Sequence, residues 1–318
     1  MDFWNVAIKI IFLSQITTGI FGNFTLLFYY LVLYNREHTL KPTDFILMHL
    51  LIANVLVILF SGVHQTIAVF GLKEFLNNFE CEFLVYIQEF GRSVSICTTC
   101  LLSVFQVITI SPRIICWKNH KFKPANNIGY SISLLWVLYM LIYFILFMYT
   151  IIKRNEKNVT RKRGFRYCSL KGTDDITDSL YLALVVCSEV FFSVLIAWSS
   201  GSMIVILYRH KQRVQYLHRI HGFCRTSHEY RATQNILILV STFLTFYTLP
   251  SILRGFIAFL PNQNWWLTNI NYLSSLCFPC FAPFVFMSHY STVSRFSLAW
   301  LRKKNPVFFA ATLLHLDQ

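Results

Sequence analysis

The sequence predicts an all-α membrane protein, a bundle of seven transmembrane helices. Three observations carry that expectation. The 318 residues are 55% hydrophobic and 13% charged, with a mean hydropathy of +0.52, which leaves too little polar surface for a soluble domain. Seven apolar spans, at about 6–33, 44–70, 81–110, 128–151, 179–208, 233–259 and 269–290, are each long enough to cross a hydrocarbon core of about 30 Å. The formal charge of +14 is concentrated in the connections, where it reports topology and not nucleic-acid binding.

Taken in order, span 1 follows Met1–Asn5, which has no basic run, so span 1 is expected to act as its own signal anchor. It contains the sequon Asn23-Phe24-Thr25, expected to stay unmodified inside the membrane. Span 2 carries one acid, Asp44, at its margin. Span 3 opens at Cys81 and ends at a Ser-Pro-Arg stop, with a polar quartet, Gln88, Glu89, Arg92 and Ser93, two to three turns in. The loop after span 4 holds the sequon Asn158-Val159-Thr160 and Cys168. Span 5 carries Glu189 and is expected to run on through Tyr208 into a basic connection. Span 6 contains Pro250 and Arg254. Span 7 contains Tyr272 and two prolines, Pro279 and Pro283, each of which removes a backbone donor. Beyond it, Arg295, Phe296, Trp300, Leu301 and Arg302 form a short amphipathic stretch suited to the inner membrane surface, within a cytoplasmic tail of 291–318. The chain is thus expected to be one seven-span domain over 1–318.

If the N-terminus is outside, sixteen Lys/Arg lie in inner connections, nine in outer ones and three within spans. That excess fits the positive-inside rule, although the outer loop from Lys153 to Asp178 carries eight of the nine and weakens it. The same orientation leaves only Cys81 and Cys168 in the oxidising compartment and places Asn158 where it can be glycosylated.

Several function classes are disfavoured. Cys97-x-x-Cys100 and Cys277-x-x-Cys280 have the spacing of zinc half-sites, but the pairs lie at different depths, so packing is the expected role and no metal is expected. No paired aspartates, H-E-x-x-H or Ser/His/Asp set is legible within the spans, which argues against an enzyme, and no cofactor is expected. The polar quartet is different. Charges at that depth cost about 2.5 to 3.5 kcal/mol each unless they face protein or a wet cavity. Glu89 and Arg92, three apart, can satisfy each other and pin the helix, or they can contact a ligand.

The seven spans, Cys81 with Cys168, the basic third inner loop and the interfacial stretch together resemble a G-protein-coupled receptor. Particular words go further. Arg92-Ser93 with SICTTCLLSVFQVITISPR (Ser95 to Arg113), WSSGSMIVILYRHKQRVQ (Trp198 to Gln215) and RATQNILILVSTFLTFY (Arg231 to Tyr247) resemble the vomeronasal type 1 receptors, a family of pheromone-type receptors. Phe105-Gln106-Val107 stands where the larger rhodopsin-like class has D-R-Y, and Ala282-Pro283-Phe284-Val285-Phe286 where it has N-P-x-x-Y. Both departures are shared with vomeronasal type 1 and bitter taste receptors.

The resemblance implies a bundle of the G-protein-coupled receptor type with a short interfacial helix after span 7, set in the plasma membrane of a chemosensory epithelium, N-terminus extracellular and C-terminus cytoplasmic. It implies a disulfide between Cys81 and Cys168, a volatile or steroid-like ligand, and a heterotrimeric G protein of Gi/o type as partner. Gln88, Glu89, Arg92, Glu189, Arg254 and Tyr272 are the candidate ligand contacts; Gln106, Arg113, Arg209, Lys211, Arg213 and Arg231 are the candidate G-protein-facing residues. Three alternatives stay open on sequence: a bitter-taste-type receptor, a multi-span transporter or channel in which Glu89 and Glu189 are ion sites, and a receptor-like relic that folds but no longer signals.

Overall fold

Apolar residues on every face of a helix need lipid or protein on every side, and the computed structural model arranges its helices accordingly. It describes residues 2–37, 41–70, 78–110, 124–156, 175–221, 245–246, 250–253, 256 and 265–289. The helices are α1 (Asp2–Glu37), α2 (Pro42–Phe70), α3 (Asn78–Ile110), α4 (Pro124–Glu156), α5 (Asp175–His221) and α6 (Trp265–His289). All six contain a window long and apolar enough to cross a membrane. They match expected spans 1 to 5 and span 7. Span 6 falls mostly outside the described residues, with helical backbone at 245–246 and 250–253. The interfacial stretch after span 7 lies outside them entirely.

Helices run past the spans at their polar ends. α5 has 47 residues and continues through Tyr208 to His221, because Arg, Lys and Gln are good helix formers in water. Hydropathy marks where the membrane stops, not where the helix stops.

Two helices form the centre. The membrane windows of α3 and α2 are 67% and 61% buried, against 17% for α4 and 28% for each of α1 and α5. α3 packs on α2, α4 and α5, while α1 closes on α2 and α6. The largest cluster joins Leu50 and Leu51 of α2, Ile96 and Leu102 of α3, Ile196 of α5 and Phe286 of α6. Leu134, Leu141, Phe144 and Ile145 of α4 face outward, as lipid contact requires. Without a hydrophobic drive between helices in lipid, close approach depends on small residues. At Gly19 of α1 an added Cβ would stand 2.7 Å from Cys280 Sγ of α6. At Gly91 of α3 it would meet the Ala53 carbonyl of α2 at 3.3 Å.

Backbone polarity is settled across the α1 and α6 contact. Pro283 has no N–H to offer the carbonyl four residues earlier, that of Pro279. Asn23 supplies the missing donor: its Nδ2 is 2.8 Å from the Pro279 oxygen and 2.8 Å from the Gly19 oxygen, and the residue is fully buried. The Asn23 sequon is therefore held inside the bundle by its own side chain. Replacing Asn23 with Leu should leave that carbonyl unpaired and cost about 1 to 3 kcal/mol. A thermal-unfolding series on the purified chain should place Asn23→Leu clearly below the parent, with Asn23→Gln between them; equal midpoints would show that the Pro279 carbonyl needs no donor.

A buried polar site between the third and fifth helices

The polar quartet of α3 turns inward as one face. Gln88, Glu89, Arg92 and Ser93 are all buried, and so is Glu189 of α5. Arg92 donates its Nε to Glu189 Oε1 at 2.9 Å, with the two side chains 6% and 4% exposed. Helical rise explains the match in level: Arg92 lies about 16 Å along α3 from Cys81, and Glu189 about 15 Å along α5 from Ser179. Arg92 thus turns to α5, not to its own helix neighbour Glu89.

Around the pair, hydrogen bonds fix α3 on its other sides. The Ser93 hydroxyl is 2.7 Å from Tyr143 OH of α4. Ser95 donates to Asn54 Oδ1 of α2 at 2.8 Å, and Thr99 donates to the Ser95 carbonyl at 2.8 Å. One guanidinium nitrogen, Arg92 Nη2, is buried with no hydrogen-bond partner among the described residues. The site therefore joins a buried ion pair to a buried guanidinium nitrogen that has no partner among the described residues.

Of the ligand candidates, the structure brings Arg92 and Glu189 together and buries Gln88 and Glu89 on the same stretch of α3. Tyr272 sits on α6 with its ring against His64 of α2, their centroids 6.2 Å apart. Arg254 lies outside the described residues. Among the inner-face candidates, Gln106 is half-buried near the far end of α3 and Arg209 is exposed on the extension of α5. Lys211 and Arg213 share that helical backbone; Arg113 and Arg231 lie outside the described residues. Cys81 is disulfide-bonded. Cys168 and Asn158 lie outside the described residues. The two Cys-x-x-Cys pairs are free thiols, Cys97, Cys100 and Cys280 buried in three different apolar clusters and Cys277 half-buried.

Sequence reasoning missed the partners of α3. Asn54 is legible as a lone amide in the apolar run LLIANVLV, which burial obliges to pair. Tyr143 carries no such signal, since a tyrosine on an apolar helix is as readily at the lipid edge as in the core.

Residues 6–299 match the family described as the vomeronasal organ pheromone receptor family. Vomeronasal type-1 receptor 4 of Homo sapiens is 44% identical over 297 residues, which cover 93% of this chain and 98% of that one. Vomeronasal type-1 receptor 2 of Homo sapiens is 44% identical over 296 residues, 93% of this chain and 75% of the relative. Vomeronasal type-1 receptor 90 of Rattus norvegicus is 32% identical over 244 residues, 75% and 77% of the two chains.

Removing one member of a buried ion pair strands the other charge and costs about 3 to 5 kcal/mol. Glu189→Gln alone should therefore lower the yield of folded protein and its melting temperature. Arg92→Gln combined with Glu189→Gln should recover most of the loss; a double variant no more stable than the single one would mean that the pair does not organise the α3 and α5 interface.

Proposed function

The chain belongs to the vomeronasal type 1 receptor family, chemosensory G-protein-coupled receptors with seven transmembrane helices, and from that premise we propose a pheromone-like ligand and a Gi/o-type G protein for it. It is a receptor and not an enzyme, and its family is membrane-embedded and binds small-molecule ligands. In our reading one domain over 1–318 sits in the plasma membrane with the Cys81 end of α3 outside. Cys81 pairs with Cys168 and Asn158 carries glycan on that side.

The observation that carries the ligand site is the buried Arg92 and Glu189 pair, level on α3 and α5, with Gln88 and Glu89 beside it. A volatile or steroid-like molecule with an oxygen acceptor would engage Arg92 Nη2, with Gln88, Glu89, Arg254 and Tyr272 as further contacts. Binding biases α5, whose continuous helix reaches His221 and so connects the site to the inner face. There Gln106, Arg113, Arg209, Lys211, Arg213 and Arg231 form the surface that meets the G protein. A ligand that binds the active arrangement about 100-fold tighter supplies about 2.7 kcal/mol, enough to shift a mostly inactive population substantially.

Two measurements test this. The purified chain in nanodiscs with a Gi heterotrimer should load GTP analogue in response to at least one volatile or steroid-like compound from a broad library. Ligand-dependent current from the reconstituted protein, without G-protein activation, would favour a transporter or channel instead. For topology, endoglycosidase should shift the mobility of the parent and leave Asn158→Gln unchanged; a shift that survives in the variant would contradict the assigned outer loop.

A further inference from the structure

Most of the described glycines are explained by what stands over them. An added Cβ would come within 2.7 Å of Cys280 Sγ at Gly19, 3.0 Å of Pro283 Cγ at Gly22, 3.1 Å of Ile16 Cδ1 at Gly62 and 3.2 Å of Leu56 Cβ at Gly91. Gly201 of α5 is different, since nothing among the described residues lies within 4 Å of the place its Cβ would take. It is exposed, on the outward side of the helix that also carries Trp198, Val205 and Tyr208, 77%, 50% and 61% exposed. It is also the only glycine in the 47 residues of α5, which contains no proline. Glycine weakens a helix interior, because it has more backbone freedom to lose than alanine. Packing does not account for that loss here.

The residues on either side weaken the same turn. Ser199 donates its hydroxyl to the Ile196 carbonyl at 2.9 Å, and Ser200 donates to that carbonyl too. Ser202 donates to the Trp198 carbonyl at 2.9 Å. In a regular helix these two carbonyls accept the backbone N–H groups of Ser200 and Ser202. A hydroxyl that shares the acceptor loosens the backbone bond and bends helices. It also keeps the carbonyl partnered when the N–H draws away, which lowers a cost that hydrocarbon otherwise makes high. Three such serines and an unpacked glycine fall in four consecutive residues, and Gly/Ser pairs are among the few causes of sharp helix bends.

We propose that Ser199 to Ser202 is a joint in α5, about which the His221 end of the helix swings while the Glu189 end stays fixed. The fixed side is held by the Arg92 and Glu189 pair and by Ile196, which lies in the largest apolar cluster. Gly201 is about 18 Å along the helix from Glu189 and about 12 Å from Arg209. A helix rigid throughout moves Arg209 only by drawing Glu189 away from Arg92, which opens a buried ion pair. A joint between them lets the far end move with the pair closed, and hinges of this kind need only a few residues. The use of the joint, to let a ligand at Arg92 and Glu189 set the position of the inner face, rests on the receptor reading above; its existence does not.

The test therefore uses the full chain in nanodiscs without ligand or G protein. Nitroxides are attached in pairs through a ketone-bearing amino acid, which leaves the cysteines alone, and distances are read by pulsed electron resonance. Arg36 of α1 with Gln212 of α5 spans the joint, and both are exposed. Ile10 of α1 with Val190 of α5, 64% and 55% exposed, reports the fixed side, and exposed Ile204 with Gln212 reports the swinging segment by itself. We expect two distance populations for Arg36 with Gln212 and one narrow population for each of the other pairs. Gly201→Ala should shift the ratio of the two populations by about fivefold, the helix-propensity difference between the residues, without moving the other pairs. Ser199→Ala, Ser200→Ala and Ser202→Ala combined should shift it in the same direction, and this variant keeps the test decisive if Gly201→Ala does not fold. A single narrow population for Arg36 with Gln212 in the parent overturns the proposal, as does a ratio unchanged in the folded variants. A spread in Ile204 with Gln212 overturns it by placing the motion in the basic extension. A melting temperature of Gly201→Ala below the parent overturns it by showing that the glycine makes room for a neighbour.

Discussion

A guanidinium and a carboxylate held 2.9 Å apart inside a membrane bundle constrain everything packed around them. Neither group can be turned to lipid, where each charge costs about 2.5 to 3.5 kcal/mol. α3 and α5 must therefore keep Arg92 and Glu189 facing each other, and that sets the rotation of both helices. The rest of the α3 surface follows from it. With Arg92 facing α5, Ser93 falls toward Tyr143 of α4 and Ser95 toward Asn54 of α2, and each finds a hydrogen bond there. Gly91 then lies against α2, where only a missing side chain allows the close approach.

The α1 and α6 side is built on a different rule. There the difficulty is a backbone carbonyl freed by Pro283, and the answer is the amide of Asn23 reaching from another helix. Gly19 brings the two helices near enough for that reach. One flank of the bundle is thus held by neutral hydrogen bonds and small-residue packing, the other by a buried charge pair.

Much of this is legible in the sequence. Apolar length marks the spans of α1 to α5 and of α6, and the cost of charge in hydrocarbon singles out Glu89, Arg92 and Glu189 as residues needing an explanation. Which charges meet is not legible. Glu89 and Arg92 are close in sequence, whereas Arg92 and Glu189 are 97 residues apart, and pairing across helices depends on rotation that a single chain's periodicity does not fix when apolar residues occupy every face. At its polar end the 47-residue α5 outruns its span, since composition reports the membrane boundary and helix propensity carries the backbone further.

The Arg92 and Glu189 pair holds α3 to α5, and we propose that it also contacts the ligand. Exchanging the two charges, Arg92→Glu with Glu189→Arg, measures both roles at once in a cell-surface expression and G-protein activation assay. The exchanged receptor should reach the surface far better than either single reversal, yet respond to an active ligand with potency reduced by about tenfold or more, because the donor now projects from the opposite helix. Surface expression restored together with parental potency for every active ligand would contradict the account and leave the pair a structural clasp only.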